Sequence, residues 1–261
     1  MLQMFRRKRE AVRFSGSYKS WEEAERDSTG YAGPEILRKT RAALLKVKAG
    51  EAAFERDSVL FKLMEYEFPL LAGLSRAAAI GRGRLSVLDF GGSLGSTYFQ
   101  SRKFLSAIKE LRWSVVEQSP HVACGRADFA NEELRFYQTI DECLDEEQPN
   151  VLLLSNVIQY LREPYLFLEE MSKREFPHVI IERTAFSLNG GDRLTVQHVP
   201  ESIYKASYPA WFLSESLFRQ IWAEDYEQLC EYMVDNKIRP RADNAVFKGF
   251  QFDLKSTHKR T

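Results

Sequence analysis

Residues 87–95 constrain the fold of this chain more than any other part of the sequence. They read Val-Leu-Asp-Phe-Gly-Gly-Ser-Leu-Gly, an apolar run that meets a carboxylate and then enters a glycine-rich loop. Glycines let the backbone turn tightly and approach a ligand closely, and the first turn of a helix attracts negative charge. The segment therefore predicts a buried strand, a ligand-binding loop and the start of a helix, in that order.

A second acidic residue strengthens this interpretation. The apolar run at residues 113–117 ends in Glu117, which follows Gly95 by 22 positions. Dinucleotide-type folds place at this spacing the acid that accepts hydrogen bonds from ribose hydroxyl groups. In the alternative interpretation, Asp89 and Glu117 only cap the ends of their strands.

The position of Asp89 indicates which cofactor the loop would bind. A nicotinamide site has the pattern G-x-G-x-x-G, and its pyrophosphate lies on the helix dipole. Here the glycines stand at 91, 92 and 95, and a carboxylate just before them would repel a pyrophosphate. The same carboxylate suits S-adenosylmethionine, which carries a cationic amino group and a sulfonium. The electrostatics favour the methyl donor.

The order of apolar runs along the chain predicts an α/β fold. From residue 85 onward, short apolar runs alternate with amphipathic stretches, which is typical of a parallel sheet with helical crossovers. The last two runs leave little room for a helix between them and predict an antiparallel pair. The runs lie at residues 85–90, 113–117, 134–137, 151–154, 179–182, 228–233 and 247–253. We expect a Rossmann-like sheet that is mostly parallel with an antiparallel C-terminal strand.

The change of pattern at residue 85 also predicts the domain organisation. Residues 1–84 are expected to form a mostly helical and partly irregular cap, in which Gly33-Pro34 begins one helix. Helical spacing of apolar residues returns over residues 52–80, where Pro69 would bend or divide the helix. Residues 85–254 would form the core, with an acceptor-pocket insertion near residues 186–213, and residues 255–261 a polar tail.

The glycine loop also resembles a known motif. Asp89-x-Gly91-x-x-x-Gly95 is similar to motif I of the class I methyltransferases, D-x-G-x-G-x-G, with Ser93 in the place of the middle glycine. From about residue 14 to residue 252, the chain resembles a family of bacterial methyltransferases that is defined by a sequence model and often encoded near polysaccharide genes. The phrases that carry this resemblance are residues 55–61, 87–100, 112–118, 154–161, 192–197 and 204–212. It implies a class I methyltransferase fold with S-adenosylmethionine as cofactor, and it leaves the acceptor open.

The resemblance and the strand order together indicate the cofactor-binding residues. On the family analogy, the charged run Glu55-Arg56-Asp57 is expected at the amino-acid end of the cofactor, with Arg56 as its selected contact and a solvated helix face as the alternative role. The residues expected at the strand ends are Asp89, Gly91, Gly92, Ser93 and Gly95 after the first strand, Glu117 and Gln118 after the second, Thr139 and Ile140 beside the adenine after the third, and Ser155 and Asn156 after the fourth. Helix capping is the alternative role of Ser155 and Asn156.

A second group of residues is expected around the acceptor. Arg183 could bind a carboxylate or phosphate, or it could form an internal ion pair. Aromatic residues in irregular stretches could wall a sugar or another ring, although such residues also pack into cores. The predicted acceptor residues are Tyr18, Trp21, Gln159, Tyr160, Arg183 and Tyr208.

The candidate for acid–base chemistry is a histidine. Methyl transfer needs correct positioning and, for a hydroxyl acceptor, a base. His198 follows the fifth predicted strand and is the candidate base, with Asp192 orienting its ring. The alternative is a structural histidine that only makes hydrogen bonds.

Two other functions remain open on the sequence. Gly91-Gly92-Ser93-Leu94-Gly95 also spells G-x-S-x-G, the nucleophile elbow of serine hydrolases, and Asp192 with His198 could complete a triad. Alternatively, Ser93 narrows the cofactor loop, and the chain is a binding or scaffold protein without turnover. The leading prediction is methyl transfer to an oxygen or nitrogen of a small molecule, with saccharide precursors among the expected acceptors on the family resemblance.

Composition excludes several classes of partner. Thirty-seven basic residues balance 37 acidic ones, so no net charge recruits nucleic acid or anionic lipid. Cys124, Cys143 and Cys230 lie far apart, so we expect neither a metal site nor a disulfide framework. No apolar run approaches the roughly 20 residues of a membrane span, and no signal-peptide pattern follows the basic N-terminus. We expect a cytoplasmic protein whose partner is a small molecule; the oligomeric state is left open.

Overall fold

The computed structural model describes residues 12–30, 34–201, 203–234 and 244–256. Their strands are β1 (Arg13–Tyr18), β2 (Phe54–Arg56), β3 (Val59–Phe61), β4 (Arg84–Phe90), β5 (Glu110–Val116), β6 (Leu134–Tyr137), β7 (Val151–Ser155), β8 (His178–Ser187), β9 (Arg193–Val199), β10 (Ala206–Phe212), β11 (Tyr226–Met233) and β12 (Ala245–Leu254). The helices are α1 (Trp21–Arg26), α2 (Pro34–Lys48), α3 (Phe68–Ile80), α4 (Ser96–Arg102), α5 (Ser119–Asp128), α6 (Ile140–Glu146), α7 (Pro164–Ser172) and α8 (Glu215–Ala223). Residues 1–11 of the predicted cap and 257–261 of the predicted tail lie outside the described residues.

A seven-stranded sheet forms the centre of the fold. Its strand order is β11-β12-β8-β7-β4-β5-β6. The five strands from β8 to β6 are parallel to one another, whereas β12 runs antiparallel to both β8 and β11. The predicted Rossmann-like α/β sheet with an antiparallel C-terminal strand pair is therefore confirmed.

The central strands are apolar on both faces because helices cover both sides of the sheet. Residues 151–154 of β7 are completely buried. Val151 and Leu153 belong to the core that packs against α2 and α3, whereas Leu152 and Leu154 belong to the core that packs against α7 and α8. This alternation follows from the two-residue period of a strand, and it explains why β7 reads as one continuous apolar run.

The strand order reverses direction next to β4. From β4 the chain moves outward to β5 and β6, and it then returns to place β7 and β8 on the other side of β4. The register places Asp89 of β4 beside Val115 of β5 and Leu153 of β7. The crossover helices leave the two neighbouring carboxyl ends in opposite directions, which opens a crevice where α/β proteins bind ligands.

The N-terminal segment contains strands that the sequence interpretation missed. The helix predicted over residues 52–80 is found only from Phe68 onward, and residues 54–61 form the β2–β3 hairpin. Phe54 and Phe61 pair across the hairpin with ring centroids 4.4 Å apart. Their seven-residue separation matches two helical turns as well as a hairpin, so spacing alone could not distinguish the two. Pro69 lies in the first turn of α3, where its missing N–H costs no hydrogen bond.

A second sheet joins the two parts of the chain that the sequence assigned to cap and insertion. β9 and β10 form a hairpin within the predicted insertion at residues 186–213, and β1 adds to the free edge of β9. In this second sheet, Gln197 of β9 pairs with Phe14 of β1 on one side and with Tyr208 of β10 on the other. The N-terminal strand is therefore an integral part of the structure around the insertion.

No helix in the described part of the chain combines the length and apolar character that crossing a membrane requires.

Candidate functional site

One large cavity lies over the carboxyl ends of the central strands. Its volume is about 730 Å³, within the usual range of small-molecule sites. The loops after β4, β5, β6 and β7 form its floor, and the β1–β9–β10 sheet, α1 and the β2–β3 hairpin contribute to its walls. The floor residues include Asp89, Gly91, Gly92, Ser93, Glu117, Gln118, Gln138, Ser155 and Asn156.

The loop after β4 depends on glycine at its tightest point. Gly91 has φ +72°, and a Cβ atom there would lie 2.5 Å from Cγ2 of Val157. Gly95, at φ +89°, is the N-cap of α4 and packs against Leu134 instead of lining the cavity. Ser93 also has a left-handed backbone, at φ +54°. The serine thus adopts a conformation that glycine would take without strain.

Asp89 is the central charged group of the cavity floor. Its side chain is only 1% exposed, and Oδ2 accepts a hydrogen bond of 2.9 Å from Nε1 of Trp113. Oδ1 has no hydrogen-bond partner among the described residues. Burial raises the pKa of this carboxyl from 3.8 to about 7, although the bond from Trp113 opposes the shift. A buried acceptor without a partner is costly, so positive charge on a ligand in the cavity would stabilise the ionised Asp89 carboxylate.

The carboxyl ends of β5 and β6 provide the next part of the floor. Glu117 follows β5, and its Oε2 accepts a hydrogen bond of 2.7 Å from the backbone N–H of Gln118. Gln138 follows β6 and lines the cavity with them. The prediction that Thr139 and Ile140 flank the adenine is wrong by position: Thr139 caps α6 by accepting from the N–H of Glu142, and Ile140 packs against the core. β6 ends at Tyr137, as predicted, and it is Gln138 that lines the cavity at this strand end, since α6 begins at Ile140.

The segment after β7 is held by side-chain hydrogen bonds. Oγ of Ser155 accepts a bond of 2.8 Å from the Arg183 guanidinium. Asn156 has φ +56°, and its Oδ1 accepts a bond of 2.7 Å from Nε2 of Gln159. Gln159, predicted to touch the acceptor, is buried beneath this loop and also donates to the carbonyl of Arg183. Ser155 and Asn156 line the cavity, whereas Gln159 supports them from below.

Two arginines face the cavity from different elements. Arg183 has φ +52° where the β8–β12 register shifts, and its side chain is 17% exposed. Such strain in an irregular strand often marks a functional position. Arg56, at the end of β2, forms an ion pair of 2.5 Å with Glu67, which also lies 3.9 Å from Arg183. Both predicted roles, ligand contact and internal pairing, are therefore compatible with these positions.

Glu55 is a site residue that the sequence analysis named only within the charged run Glu55-Arg56-Asp57, from which Arg56 was selected. It is buried, its Oε1 bonds to Oγ of Ser96 at the start of α4, and its Oε2 accepts 2.9 Å from the N–H of Ser58. Burial raises the pKa of this carboxyl to about 7. Glu55 thereby ties the β2–β3 hairpin to the helix that follows the glycine loop. The charged run Glu55-Arg56-Asp57 between apolar residues was its only signal.

The second sheet supplies the wall opposite the floor. Tyr160 donates a hydrogen bond of 2.8 Å to Oε1 of Gln197, and Nε2 of Gln197 donates 3.0 Å to the hydroxyl of Tyr208. These three residues line the cavity together with Trp21. Tyr18, the remaining predicted acceptor residue, packs instead in a small cluster with Leu194 and Val196. Gln197 was not predicted, because its role depends on the register of β9.

The predicted pair of Asp192 and His198 is not assembled. Nε2 of His198 lies 2.7 Å from Oγ of Ser15, and the ring belongs to the face of β9 opposite Gln197. Asp192 accepts hydrogen bonds from the Tyr165 hydroxyl at 2.5 Å and the Ser214 N–H at 2.6 Å. Neither residue lines the cavity. The structure therefore contradicts two predictions: the catalytic pair of Asp192 and His198, and the hydrolase triad that these residues would form with Ser93. In the described part of the chain, no group of three or more His, Cys, Asp or Glu residues could hold a metal ion.

Comparisons with known proteins give structural likenesses at low sequence identity. No protein-family model matches the sequence, and no curated protein matches it. The fold is similar to the N-terminal domain of EvdMO1 with SAH bound, at a TM-score of 0.48 and 12% identity over 85% of this chain and 100% of that chain. It is similar to the glycopeptide N-methyltransferase MtfA complexed with S-adenosylmethionine, at a TM-score of 0.44 and 10% identity over 70% and 94%. A methyltransferase from Clostridium acetobutylicum gives 0.46 and 10% over 74% and 94%. The fold assignment stands on the strand order and pairing themselves.

Proposed function

We propose that this protein is an S-adenosylmethionine-dependent methyltransferase that acts on an oxygen or nitrogen atom of a small molecule. The observation that carries the proposal is Asp89, a buried carboxylate that lines the cavity at the switch point of the sheet and whose Oδ1 has no hydrogen-bond partner among the described residues. A cationic ligand would supply the missing partner. A pyrophosphate-bearing cofactor would add a second anion beside it.

The residues of the floor fit the parts of S-adenosylmethionine. Asp89 would face the cationic amino-acid end, while Glu117 would accept hydrogen bonds from the ribose hydroxyls. Gln118 and Gln138, further along the same edge, would lie toward the adenine. When bound, the cofactor supplies an electrophilic methyl group on its sulfonium. The role of the protein is to hold that group beside the acceptor and to keep the acceptor oriented.

The acceptor would occupy the space between the floor and the β1–β9–β10 sheet. Trp21 and Tyr208 offer ring faces there, and Gln197 and Tyr160 offer amide and hydroxyl groups. This combination supports an acceptor with both an apolar face and hydrogen-bonding groups. A saccharide precursor meets that description. Because the sequence resembles methyltransferases that are often encoded near polysaccharide genes, saccharide precursors are among the acceptors to test first.

The setting of the protein is proposed on the same basis. Cys124, Cys143 and Cys230 are free thiols, which supports a reducing compartment such as the cytoplasm. The balanced charge of the chain supports a small-molecule partner over a nucleic acid.

Calorimetric titration with S-adenosylmethionine and S-adenosylhomocysteine tests the cofactor assignment. Asp89→Asn keeps an oxygen for the Trp113 bond but removes the charge, so we expect its affinity for S-adenosylmethionine to fall by about tenfold or more. Asp145→Asn, on the exposed part of α6, is the matched control and should bind like the wild type. Binding that is absent in the folded wild type, or unchanged in Asp89→Asn, would refute the assignment.

A separate measurement distinguishes the enzyme from a binding protein without turnover. The wild type is incubated with S-adenosylmethionine and a broad panel of hydroxyl- and amine-bearing small molecules, nucleotide sugars included, and released S-adenosylhomocysteine is quantified. Release that depends on one acceptor supports the methyltransferase. Tight cofactor binding without release across the panel favours the scaffold alternative.

A further inference from the structure

We propose that Asp57, at the tip of the β2–β3 hairpin, binds the nucleophilic O–H or N–H of the acceptor and receives its proton. The inference rests on the proposed methyltransferase function. It assigns to Asp57 the role of proton acceptor that His198, outside the cavity, does not fill. It follows from the partners of each carboxylate on the cavity wall and from the position of the hairpin.

Three of the carboxylates on the cavity wall already have hydrogen-bonding roles. Asp89 is bonded to Trp113, Glu55 is bonded to Ser96 and the N–H of Ser58, and Glu117 is bonded to the N–H of Gln118. Asp57 and Glu25 also line the cavity, and their carboxylates accept no hydrogen bond from the described residues. Glu25 belongs to α1, which contacts β1, β9 and β10, whereas the hairpin of Asp57 is fastened through Glu55 to the start of α4. Asp57 is therefore a carboxylate beside the cofactor loop that neither a hydrogen bond within the protein nor the proposed cofactor contacts use.

The hairpin holds Asp57 in an unusual but well-supported backbone conformation. Asp57 and Ser58 form the two-residue turn between β2 and β3, with φ of +49° and +66°. This is the geometry of a type I′ turn, in which aspartate and asparagine are tolerated and most other side chains are not. The bond from the Ser58 N–H to Glu55, and that from Ser96 to Glu55, fasten the turn to the start of α4.

Two arginines that line the cavity provide positive charge around Asp57. Its carboxylate interacts electrostatically with Arg183 and Arg56. Arg183 is bonded to Ser155 at the carboxyl end of β7, and Arg56 is paired with Glu67. Both arginines thus keep their own partners, and they can stabilise a negative charge on Asp57 without covering it. Asp57 lines the same cavity as the cofactor loop and the β1–β9–β10 wall, so an acceptor bound there is within the space that this carboxylate borders.

Other bases of the cavity are less suited to this role. The Tyr160 hydroxyl donates a hydrogen bond to Oε1 of Gln197, and burial raises its pKa to about 12, so it stays protonated. No histidine of the described residues lines the cavity. Asp57 combines access, a carboxylate without a bound proton donor, and a fixed position.

The proposed step balances in atoms and charge. As the oxygen or nitrogen of the acceptor forms its bond to the methyl carbon, the carbon–sulfur bond breaks and its electron pair stays on sulfur. The carboxylate of Asp57 takes the proton that the acceptor loses and later releases it to water. The positive charge of the sulfonium and the negative charge of Asp57 are both neutralised, which leaves the methylated acceptor and S-adenosylhomocysteine.

Sinefungin tests this position without an identified acceptor. In this analogue an amine-bearing carbon replaces the methylated sulfur, so its ammonium marks the place of the transferred methyl group. Asparagine adopts the left-handed backbone of this turn as aspartate does, so Asp57→Asn removes the charge while the hairpin is retained. We expect it to weaken sinefungin binding by about tenfold or more in calorimetry, while S-adenosylhomocysteine binding changes by less than about twofold.

Glu25→Gln is the matched control, since it removes the same charge from the cavity wall. It should change the binding of both ligands by less than about twofold. Equal effects of Asp57→Asn on sinefungin and S-adenosylhomocysteine, or equal effects of the two variants on sinefungin, overturn the role of Asp57 while leaving the cofactor assignment standing. Failure of the wild type to bind S-adenosylhomocysteine overturns the proposed function, and the role of Asp57 with it.

Discussion

Nε1 of Trp113 donates a hydrogen bond of 2.9 Å to Oδ2 of Asp89, and the two side chains come from neighbouring parallel strands on the same face of the sheet. Trp113 is completely buried within an apolar core. The indole N–H is thus the group that makes a carboxylate tolerable at the edge of this core, while the second oxygen has no hydrogen-bond partner among the described residues. The pair thus connects the apolar core, to which Trp113 belongs, with the cavity that Asp89 lines.

Replacing Trp113 by phenylalanine should reveal the value of this bond. Trp113→Phe leaves Oδ2 of a buried carboxylate without its donor, whereas Trp222→Phe removes an equally buried indole whose Nε1 has no partner in the described part of the chain. In urea denaturation at pH 8, we expect Trp113→Phe to lower the free energy of unfolding by about 1–3 kcal/mol more than Trp222→Phe does. Similar losses in the two variants would show that the bond contributes nothing beyond packing.

The pKa of Asp89 should appear in the pH dependence of cofactor binding. Burial raises that pKa to about 7, so the free protein increasingly holds a neutral Asp89 below this pH. Because a cationic ligand favours the ionised form, affinity for S-adenosylmethionine should rise from pH 6 to about pH 8 and then level off. Calorimetry across this range should show the rise in the wild type and in Glu55→Gln. Asp89→Asn should lack it, and a slope that persists there would assign the titration to another group.

Gly91 should be required for its space as well as for its backbone. A Cβ atom at Gly91 would meet Val157 at 2.5 Å, whereas one at Gly190, with φ +80°, would meet nothing within 4 Å. Both alanine variants incur the strain of a left-handed residue, about 1–2 kcal/mol. Only Gly91→Ala should also displace the cofactor loop and reduce the affinity for S-adenosylhomocysteine by about tenfold or more. Equal affinities in the two variants would mean that the loop adapts freely.

His198 should be dispensable for methyl transfer. Its ring contacts Ser15 on the face of β9 that points away from the cavity, while its neighbour Gln197 lines the cavity. His198→Ala should therefore retain at least about half of the wild-type rate of S-adenosylhomocysteine release with the acceptor identified by the panel. Gln197→Ala should raise KM for that acceptor. A loss of turnover in His198→Ala with unchanged folding would restore the histidine as the base.

The sequence predicted the central sheet well because its signals are local or periodic. Continuous apolar runs indicated the buried strands. The short interval between residues 228–233 and 247–253 indicated the antiparallel pair. The hairpin at residues 54–61 was missed because Phe54 and Phe61 suit either a helix face or a cross-strand pair. The position of Thr139 was misjudged for a related reason: one residue decides whether a side chain caps a helix or lines a cavity.

What the sequence determined by itself is the strand–loop–helix unit around Asp89 and the second acid at Glu117, because covalent neighbours and strand periodicity suffice to place them. Only the tertiary structure decided that Phe14 lies beside Gln197, that Asp57 reaches the cavity and that His198 turns away from it. These outcomes depend on the register between segments that are far apart in the chain. A shift of one residue in a strand moves every side chain to the opposite face, and no local pattern records which register packing selects.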